Sequence, residues 1–300
     1  MRVGRVLVTG SEGFTGRYVC ASLKKKGWDV WRSGVKAVRS TSNYVMTDLT
    51  NEAQAKRLID QARPNVVIHL AALAFVGDND AGAFHRVNVM GTQYLLEALA
   101  TQPRPPDCVI LASSANVYGN TTSGILSERT ITAPTNEYAL SKLAMEIMAK
   151  EWMSSLPIVI TRPFNYSGRH QESRFLIPKI VNHLRYRAEA IELGNLDIGR
   201  DYSDVRDVAR AYTALAEIQP TGETVNLCSG TSYSLQEILA MGEAISGHSL
   251  RVDVNPDFVR QNEVHWLQGD RGKLERLLGY WDPITLPETL RWMLEDSSGI

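Results

Sequence analysis

Short apolar runs alternate with stretches of helical period along the first half of the chain, and this alternation constrains the fold more than any other feature. The runs "RVLVTG", "WDVWRSG", "YVMTD", "NVVIHLAAL", "DCVILASS" and "PIVITRPF" read as strands. Between them lie "GRYVCASLKKKG", "NEAQAKRLIDQARP", "GTQYLLEALATQ" and "NEYALSKLAMEIMAKEW", whose apolar residues recur at helical spacing. A parallel strand pair needs a long crossover, and a helix of this length supplies one. The six strands therefore predict an α/β fold built on a doubly wound parallel sheet, with residues 1–165 plus about 203–230 forming its domain. After Asn165 the rhythm breaks into irregular stretches, a helix near 175–188 and late Pro/Gly punctuation. About 166–202 plus 231–300 is read as a second, smaller α/β lobe that binds substrate.

"VLVTGSEGFTGRYV" places Gly10, Gly13 and Gly16 directly after the first strand and at the start of a helix. Glycines there allow a tight turn and a close backbone approach to a pyrophosphate, which the helix N-terminus attracts. That position makes the sheet a Rossmann fold for a dinucleotide. An NAD site carries an acid at the end of the second strand for the adenosine ribose. Here the strand ends in "VWRSG", so Arg32 and Ser33 offer a cation and a hydroxyl suited to a 2′-phosphate, with Lys36 or Arg39 as helpers. NADP(H) is the preferred cofactor and NAD the alternative; the competing reading of Arg32 is a solvated loop arginine. Asp48, after the third strand, is placed to accept from the adenine amino group, or is an exposed turn aspartate.

The chain has 300 residues, 44% of them hydrophobic and 22% charged, enough for a sizeable core. A net charge of −1 and the lack of a basic stripe or polybasic cluster argue against nucleic-acid or membrane partners. No apolar run approaches the ~18 residues of a membrane span, and no signal-peptide cleavage pattern follows "VGRVLVTG", so a cytoplasmic location is expected. Cys20, Cys108 and Cys228 are odd in number and widely spaced, which argues against a disulfide framework or structural zinc. His69 and His170 lack a second ligand at metal spacing, and His69 reads as a satisfied core histidine at the end of a buried strand.

"YALSK" sets Tyr138 and Lys142 at i and i+4, on one face of a helix. A nearby ammonium favours tyrosinate, so the phenol's pKa is expected to fall from ~10 and let it exchange a proton with a carbonyl. "ASSANVYG" supplies Ser113 and Ser114 at the end of the fifth strand, the sheet edge where open α/β proteins gather ligands.

With these residues in hand, the chain resembles the extended short-chain dehydrogenase/reductase family, part of the NAD-dependent epimerase/dehydratase superfamily. The resemblance runs nearly end to end through "TGSEGFTG", Asp48, "HLAAL", "NVMGT", "SSANVYG", "YALSK" and "RPFNYSG", in the family's order. It implies that Ser114 polarises the substrate oxygen, that Tyr138 is the acid/base, and that Lys142 binds the nicotinamide ribose and lowers the tyrosine pKa. It implies a cofactor set of Gly10, Gly13, Phe14, Thr15, Gly16, Arg32, Ser33, Asp48, Leu49, Leu70, Ala71, Ala72 and Pro163, together with Tyr138 and Lys142. Asn88 would help hold the active-site strands. The helices of "YLLEALA" and "LAMEIMAKEW" would pair across a two-fold axis as a four-helix bundle, making a homodimer.

Sugar-nucleotide 4,6-dehydratases of this family place Glu two residues before the position of Tyr118, often with Asp before it, as an additional base. Here those positions are Asn116 and Ala115, which leaves ketone reduction, alcohol oxidation or 4-epimerisation. "RPFNYSGRHQESRFLIPKI", "GRDYSDVRDVARAY" and "VRQNEVHWLQGDRGKLERLLGYWDP" resemble GDP-6-deoxy-4-keto-mannose reductases and the related GDP-mannose dehydratases. By that resemblance Ser114, Asn116 and Asn165 approach the substrate, Arg200 and Arg260 pair with its diphosphate, and Glu263 accepts from its ribose. Planar guanidinium forks suit a diphosphate, the competing reading of each arginine being a surface salt bridge. The family's His-x-Gly-Pro-Gly run is replaced by Tyr166, Ser167, Gly168, Arg169 and His170. The expected activity is NADPH-dependent reduction of the C4 ketone of a nucleotide-linked 4-keto-6-deoxyhexose, of the type giving GDP-rhamnose. Its rivals are a sugar-nucleotide 4-epimerase that retains NAD and a non-catalytic dinucleotide sensor, for which a broken Ser-Tyr-Lys set would be the sign.

Overall fold

In the computed structural model, residues 4–38, 42–74, 81–120, 124–258 and 266–295 are described. The first half of the chain runs β1 (Arg5–Thr9), α1 (Phe14–Lys25), β2 (Asp29–Gly34), β3 (Tyr44–Met46), α2 (Glu52–Ala62) and β4 (Val66–His69). It continues through α3 (Ala81–Phe84), a π turn (His85–Met90), α4 (Gly91–Ala100), β5 (Cys108–Ala112), β6 (Gly124–Leu126), α5 (Glu137–Glu151) and β7 (Ile158–Pro163). The second half contains β8 (Asn165–Ser167), α6 (Leu176–Arg185), β9 (Ala190–Leu193), β10 (Gly199–Asp204), α7 (Val205–Ile218) and β11 (Thr224–Leu227). It closes with β12 (Ser232–Ser234), α8 (Leu235–Ser246), β13 (Arg251–Val254), β14 (Trp266–Gly269), α9 (Gly272–Leu278) and α10 (Leu286–Leu294).

The six expected strands form one sheet with a seventh, β11, in the order β11-β7-β5-β4-β1-β2-β3. Every neighbouring pair is parallel. Strands such as "VVIH" are apolar throughout because helices cover both faces. On one face α1 and α7 pack Val19, Leu23, Tyr212 and Leu215 against Val6, Val8 and Ile68. On the other, α2, α4 and α5 bring Leu58, Leu95, Leu99 and Met145 onto Leu7, Val67 and Leu111. Alternate residues of each strand serve opposite faces. No helix of the described residues is long and apolar enough to cross a membrane.

A second sheet, β12-β10-β14-β6 with β8 on β10, draws β6 from the first half of the chain and the rest from the second. Its buried anchor is Asp201, whose carboxylate accepts from Ser229 N (2.9 Å), Ser229 Oγ (2.7 Å), Gly230 N (3.0 Å) and Gly269 N (3.1 Å). Four donors meet the hydrogen-bonding demand of a carboxylate withdrawn from water. A third apolar cluster joins α6, α8 and α10 through Ile180, Leu239 and Leu290. The helix expected near 175–188 is α6; it ends at Arg185, and Arg187 beyond it takes a left-handed backbone at φ 52°.

His69 is the satisfied core histidine that its position suggested. Its Nδ1 lies 2.7 Å from Thr9 Oγ1 and its Nε2 2.9 Å from Thr92 Oγ1. Thr92 gives its own proton to the Asn88 carbonyl (2.8 Å), so it accepts from Nε2–H, and Nδ1 accepts from Thr9. Burial pushes the imidazole down from 6.5 to about 3, with the charge of Lys142 acting in the same direction. The unfolded chain therefore takes up this proton near its ordinary pKa while the folded chain resists it. The stability is complete above pH 6.5 and is lost as pH falls through the window towards 3. At pH 5 the loss amounts to about 2 kcal/mol. Urea unfolding at pH 7 and pH 5 should show His69→Gln losing about 2 kcal/mol less than the wild type between the two. Equal losses would contradict a buried neutral His69.

Candidate functional site

The glycine loop closes as its sequence requires. Gly10 has φ +66°, and a Cβ there would lie 2.7 Å from Ala71 N; one at Gly16 would lie 2.3 Å from the Gly10 carbonyl. Gly13 is the N-cap of α1 and supplies no side-chain acceptor, which leaves its first-turn amides to an anion. A cavity of about 760 Å³ opens at this loop. It has the size and the backbone donors for a dinucleotide.

Of the sequence-predicted cofactor residues, Gly10, Gly13, Phe14, Ser33, Asp48 and Leu49 line this cavity, as do Leu70, Ala71 and Ala72. Thr15 and Gly16 stand behind the loop: Thr15 Oγ1 bonds to Tyr166 Oη at 2.8 Å, and Phe14 stacks on the Tyr166 ring at 6.1 Å. Arg32 stands one residue before Ser33 on β2. It does not line the cavity; its guanidinium reaches Glu12 Oε1 at 3.3 Å and covers the Tyr44 ring. Strand alternation turns Ser33 to the cavity, and Arg32 reaches its edge through Glu12, which lines it. The cation at the end of β2 that does line the cavity is Lys36, in a turn whose Gly34 and Lys36 carbonyls both accept from the Tyr44 hydroxyl. Asp48 faces the cavity while its Oδ1 accepts from Thr50 N (2.9 Å) and Thr50 Oγ1 (2.7 Å). Pro163 is buried at the end of β7, opposite Leu227, and does not line the cavity.

Ser114, Tyr138 and Lys142 stand beyond the cavity lining, at the carboxyl edge of β5 and on α5. Asn136 caps α5 by accepting from Ala139 N at 2.9 Å, which fixes Tyr138 in its first turn. Ser114 stands beside Tyr138, near enough for its side chain to influence the phenol. Lys142 is buried, and its Nζ donates to the Ala112 carbonyl at 2.7 Å. The expected lowering of the phenol pKa is not what the structure holds. Burial pushes Tyr138 up to about 12 against the smaller opposing effect of Ser114. The amine of Lys142 is engaged by Ala112, and its own pKa is drawn down by burial to about 8, with Glu146 opposing. At neutral pH the phenol therefore carries its proton.

The substrate set is only partly brought together. Asn165 on β8 donates to the Asp201 carbonyl at 3.3 Å, and Arg200 lies on the neighbouring β10 with its Nη1 on the Gly199 carbonyl at 2.8 Å. Asn116 is exposed in a short helical turn after Ser114, and its N donates to Ser114 Oγ at 3.2 Å. Arg260 and Glu263 lie outside the described residues, as does Arg39.

Sequence reasoning did not assign several residues to the site. Glu12, His170 and Glu172 line the cavity, the last two from the segment after β8. Glu146 sits one further turn along α5 from Lys142 and pairs bidentately with Arg162, at 2.9 and 2.6 Å; both are buried. The spacing Tyr138, Lys142, Glu146 was the available signal for that pair. Arg162→Met strands this carboxylate in the core and should cost about 3–5 kcal/mol in urea unfolding. Adding Glu146→Gln should restore part of it, and a loss under about 1 kcal/mol in the single variant would contradict the pairing.

Residues 7–293 match the family described as GDP-mannose 4,6 dehydratase. The GDP-6-deoxy-D-talose 4-dehydrogenase of Aggregatibacter actinomycetemcomitans is 33% identical over 92% of this chain and 91% of its own. The GDP-6-deoxy-D-mannose reductase of Pseudomonas aeruginosa is 28% identical over 97% and 96%. Among solved structures, a Burkholderia cenocepacia J2315 protein provisionally assigned as an epimerase is 46% identical, covers 98% of each chain and superposes with a TM-score of 0.93. Pseudomonas aeruginosa RMD, complexed with NADPH, is 29% identical over 97% and 96%, with a TM-score of 0.85.

Proposed function

This chain belongs to the GDP-mannose 4,6-dehydratase family, and within it we propose an NADPH-dependent reductase of the C4 ketone of a nucleotide-linked 4-keto-6-deoxyhexose, forming a product of GDP-rhamnose type. It is an enzyme of the extended short-chain dehydrogenase/reductase kind that modifies nucleotide sugars. What supports the finer reading is the placing of Ser114, Tyr138 and Lys142 together at the carboxyl edge of β5, with Ala115 and Asn116 in place of the carboxylates that a dehydration needs. A bound reduced nicotinamide supplies hydride. Ser114 orients the ketone oxygen, and Tyr138 donates the proton that this oxygen takes up as it becomes an alcohol. A phenol held at about 12 is in the right protonation state for that step at neutral pH. The ammonium of Lys142, one turn away, is placed to stabilise the phenolate left behind.

The glycine loop, Ser33, Asp48 and Ala71 would hold the cofactor, and Gly34 with Lys36 replaces the acid that favours NAD. The relative complexed with NADPH supports this choice. The epimerase reading draws on the 46% identical Burkholderia protein; it would retain its dinucleotide and consume none. We further infer a homodimer through α4 and α5: Leu140 and Ile147, seven residues apart on α5, are 52% and 57% exposed. The chemistry of the proposal then lies at the edge of a bundle that locks both helices.

NADPH consumption followed at 340 nm against GDP-, dTDP-, UDP- and CDP-linked 4-keto-6-deoxy sugars tests the activity. Turnover with one of them is expected, and Tyr138→Phe should reduce it by about 10²–10⁴-fold. No turnover with any would overturn the reductase, and full activity in Tyr138→Phe would overturn the mechanism. Lys36→Ala should weaken NADPH binding by about tenfold while leaving NADH binding unchanged, as read by titration. Equal effects on the two cofactors would remove Lys36 from the 2′-phosphate site.

A further inference from the structure

The segment that replaces the family's His-x-Gly-Pro-Gly run forms a wall of the cavity at the glycine loop, where His170 and Glu172 line it together with Gly13, Phe14 and Arg17. His170 holds φ +66°, a left-handed backbone that an L-residue adopts at a cost of roughly 1 kcal/mol or more. Its neighbours are fastened on both sides. The Arg169 carbonyl accepts from Tyr18 Oη at 2.9 Å, Arg169 Nε donates to the Trp292 carbonyl at 2.7 Å, and its guanidinium lies 4.8 Å over the Trp292 ring. Gln171 donates to the Tyr166 carbonyl at 3.2 Å and accepts from Ser167 Oγ at 2.7 Å. His170 itself is exposed and takes no hydrogen-bond partner among the described residues.

The backbone of His170 is thus held by three tertiary contacts and two local hydrogen bonds of its neighbours, none of them made by its side chain. This fixes an imidazole at the cavity that also holds the uncapped N-terminus of α1. Imidazole N–H donors suit phosphate oxygens, and a donor to a charged oxygen makes a stronger bond than one to a neutral acceptor. We propose that His170 is a cofactor-binding residue that donates a hydrogen bond to the pyrophosphate of the bound dinucleotide, so that the second lobe clamps the cofactor through this turn. The inference rests on the proposed dinucleotide reading of the cavity. It assigns His170 to the cofactor and not to the sugar.

Titration of NADPH into the purified protein, followed by nucleotide fluorescence, tests it without any sugar substrate. His170→Gly removes the imidazole while keeping a residue that accepts φ +66°, and His170→Asn does the same with a short amide side chain. Both should fold with thermal midpoints no lower than that of the wild type and bind NADPH about tenfold more weakly. Their affinity for 2′-AMP, which has no pyrophosphate, should match that of the wild type. Unchanged NADPH affinity in His170→Gly overturns the assignment and leaves the proposed reductase standing. An equal loss for 2′-AMP and NADPH overturns the pyrophosphate contact. A wild-type protein that binds neither NADPH nor NADH overturns this inference and the reading of the cavity together.

Discussion

The hydrogen bonds of Asn88 hold the candidate site in one piece. Its Oδ1 accepts from Leu73 N at 2.8 Å, and its Nδ2 donates to the Leu73 carbonyl at 3.0 Å and to Ser141 Oγ at 2.9 Å. Ser141 in turn donates to the Tyr138 carbonyl at 2.8 Å. One buried amide thereby ties the cavity wall after β4 to the helix that carries Tyr138 and Lys142. It does so from the π turn His85–Met90, where the extra residue in the turn re-aims side chains relative to the α-helical stretches on either side. Behind it, Thr9 on β1, whose hydroxyl accepts from Ala71 N at 3.2 Å, donates to His69, which donates to Thr92, which donates to the Asn88 carbonyl. With its polar atoms satisfied, this network is rigid, and a rigid frame is what a proton donor needs in order to meet an oxygen at a fixed place.

The charges of the site follow from burial more than from pairing. Lys142 and Tyr138 lie a turn apart, yet the withdrawal of each from water decides its protonation: the phenol is pushed up to about 12 and the amine down to about 8. Glu146, the next residue on the same face, is held by Arg162, whose Nη1 also donates to Tyr118 Oη at 3.2 Å. Tyr118 passes its proton to Asn226 at 2.7 Å. The face of α5 that points at the sheet is thus polar every fourth residue, and each polar group is matched. With no acid at 115 or 116, the proposed reading is that the site moves a proton at one oxygen and does not eliminate water.

How much of this was legible in the sequence depended on whether the signal was local. The glycine loop was readable because Gly10 and Gly16 meet backbone atoms a few residues or one strand away, and only glycine fits there. The parallel sheet was readable because strands buried on both faces are apolar throughout. Arg32 and Ser33 illustrate the boundary: they are adjacent, and which of them faces the cofactor cavity depends on the pleat of β2 against its neighbours, a tertiary fact. The phenol pKa was misjudged because proximity of an ammonium was visible at i+4, whereas the depth of burial and the Ala112 carbonyl that engages the amine were not. The place of His170 at the cavity was not legible because it depends on Tyr18 and Trp292, more than a hundred residues away on either side.

In the proposed reduction, hydride is delivered to carbon 4 of the sugar and stays there while Tyr138 protonates the oxygen. The most direct measurement is the fate of the label when NADPH deuterated at nicotinamide C4 is incubated with the accepted 4-keto-6-deoxy sugar nucleotide and the product is read by proton NMR. The predicted result is one deuterium at sugar C4 per cofactor oxidised, from one face of the nicotinamide. Sugar inversion with the label still on a cofactor that is not consumed would contradict reduction and make the protein an epimerase.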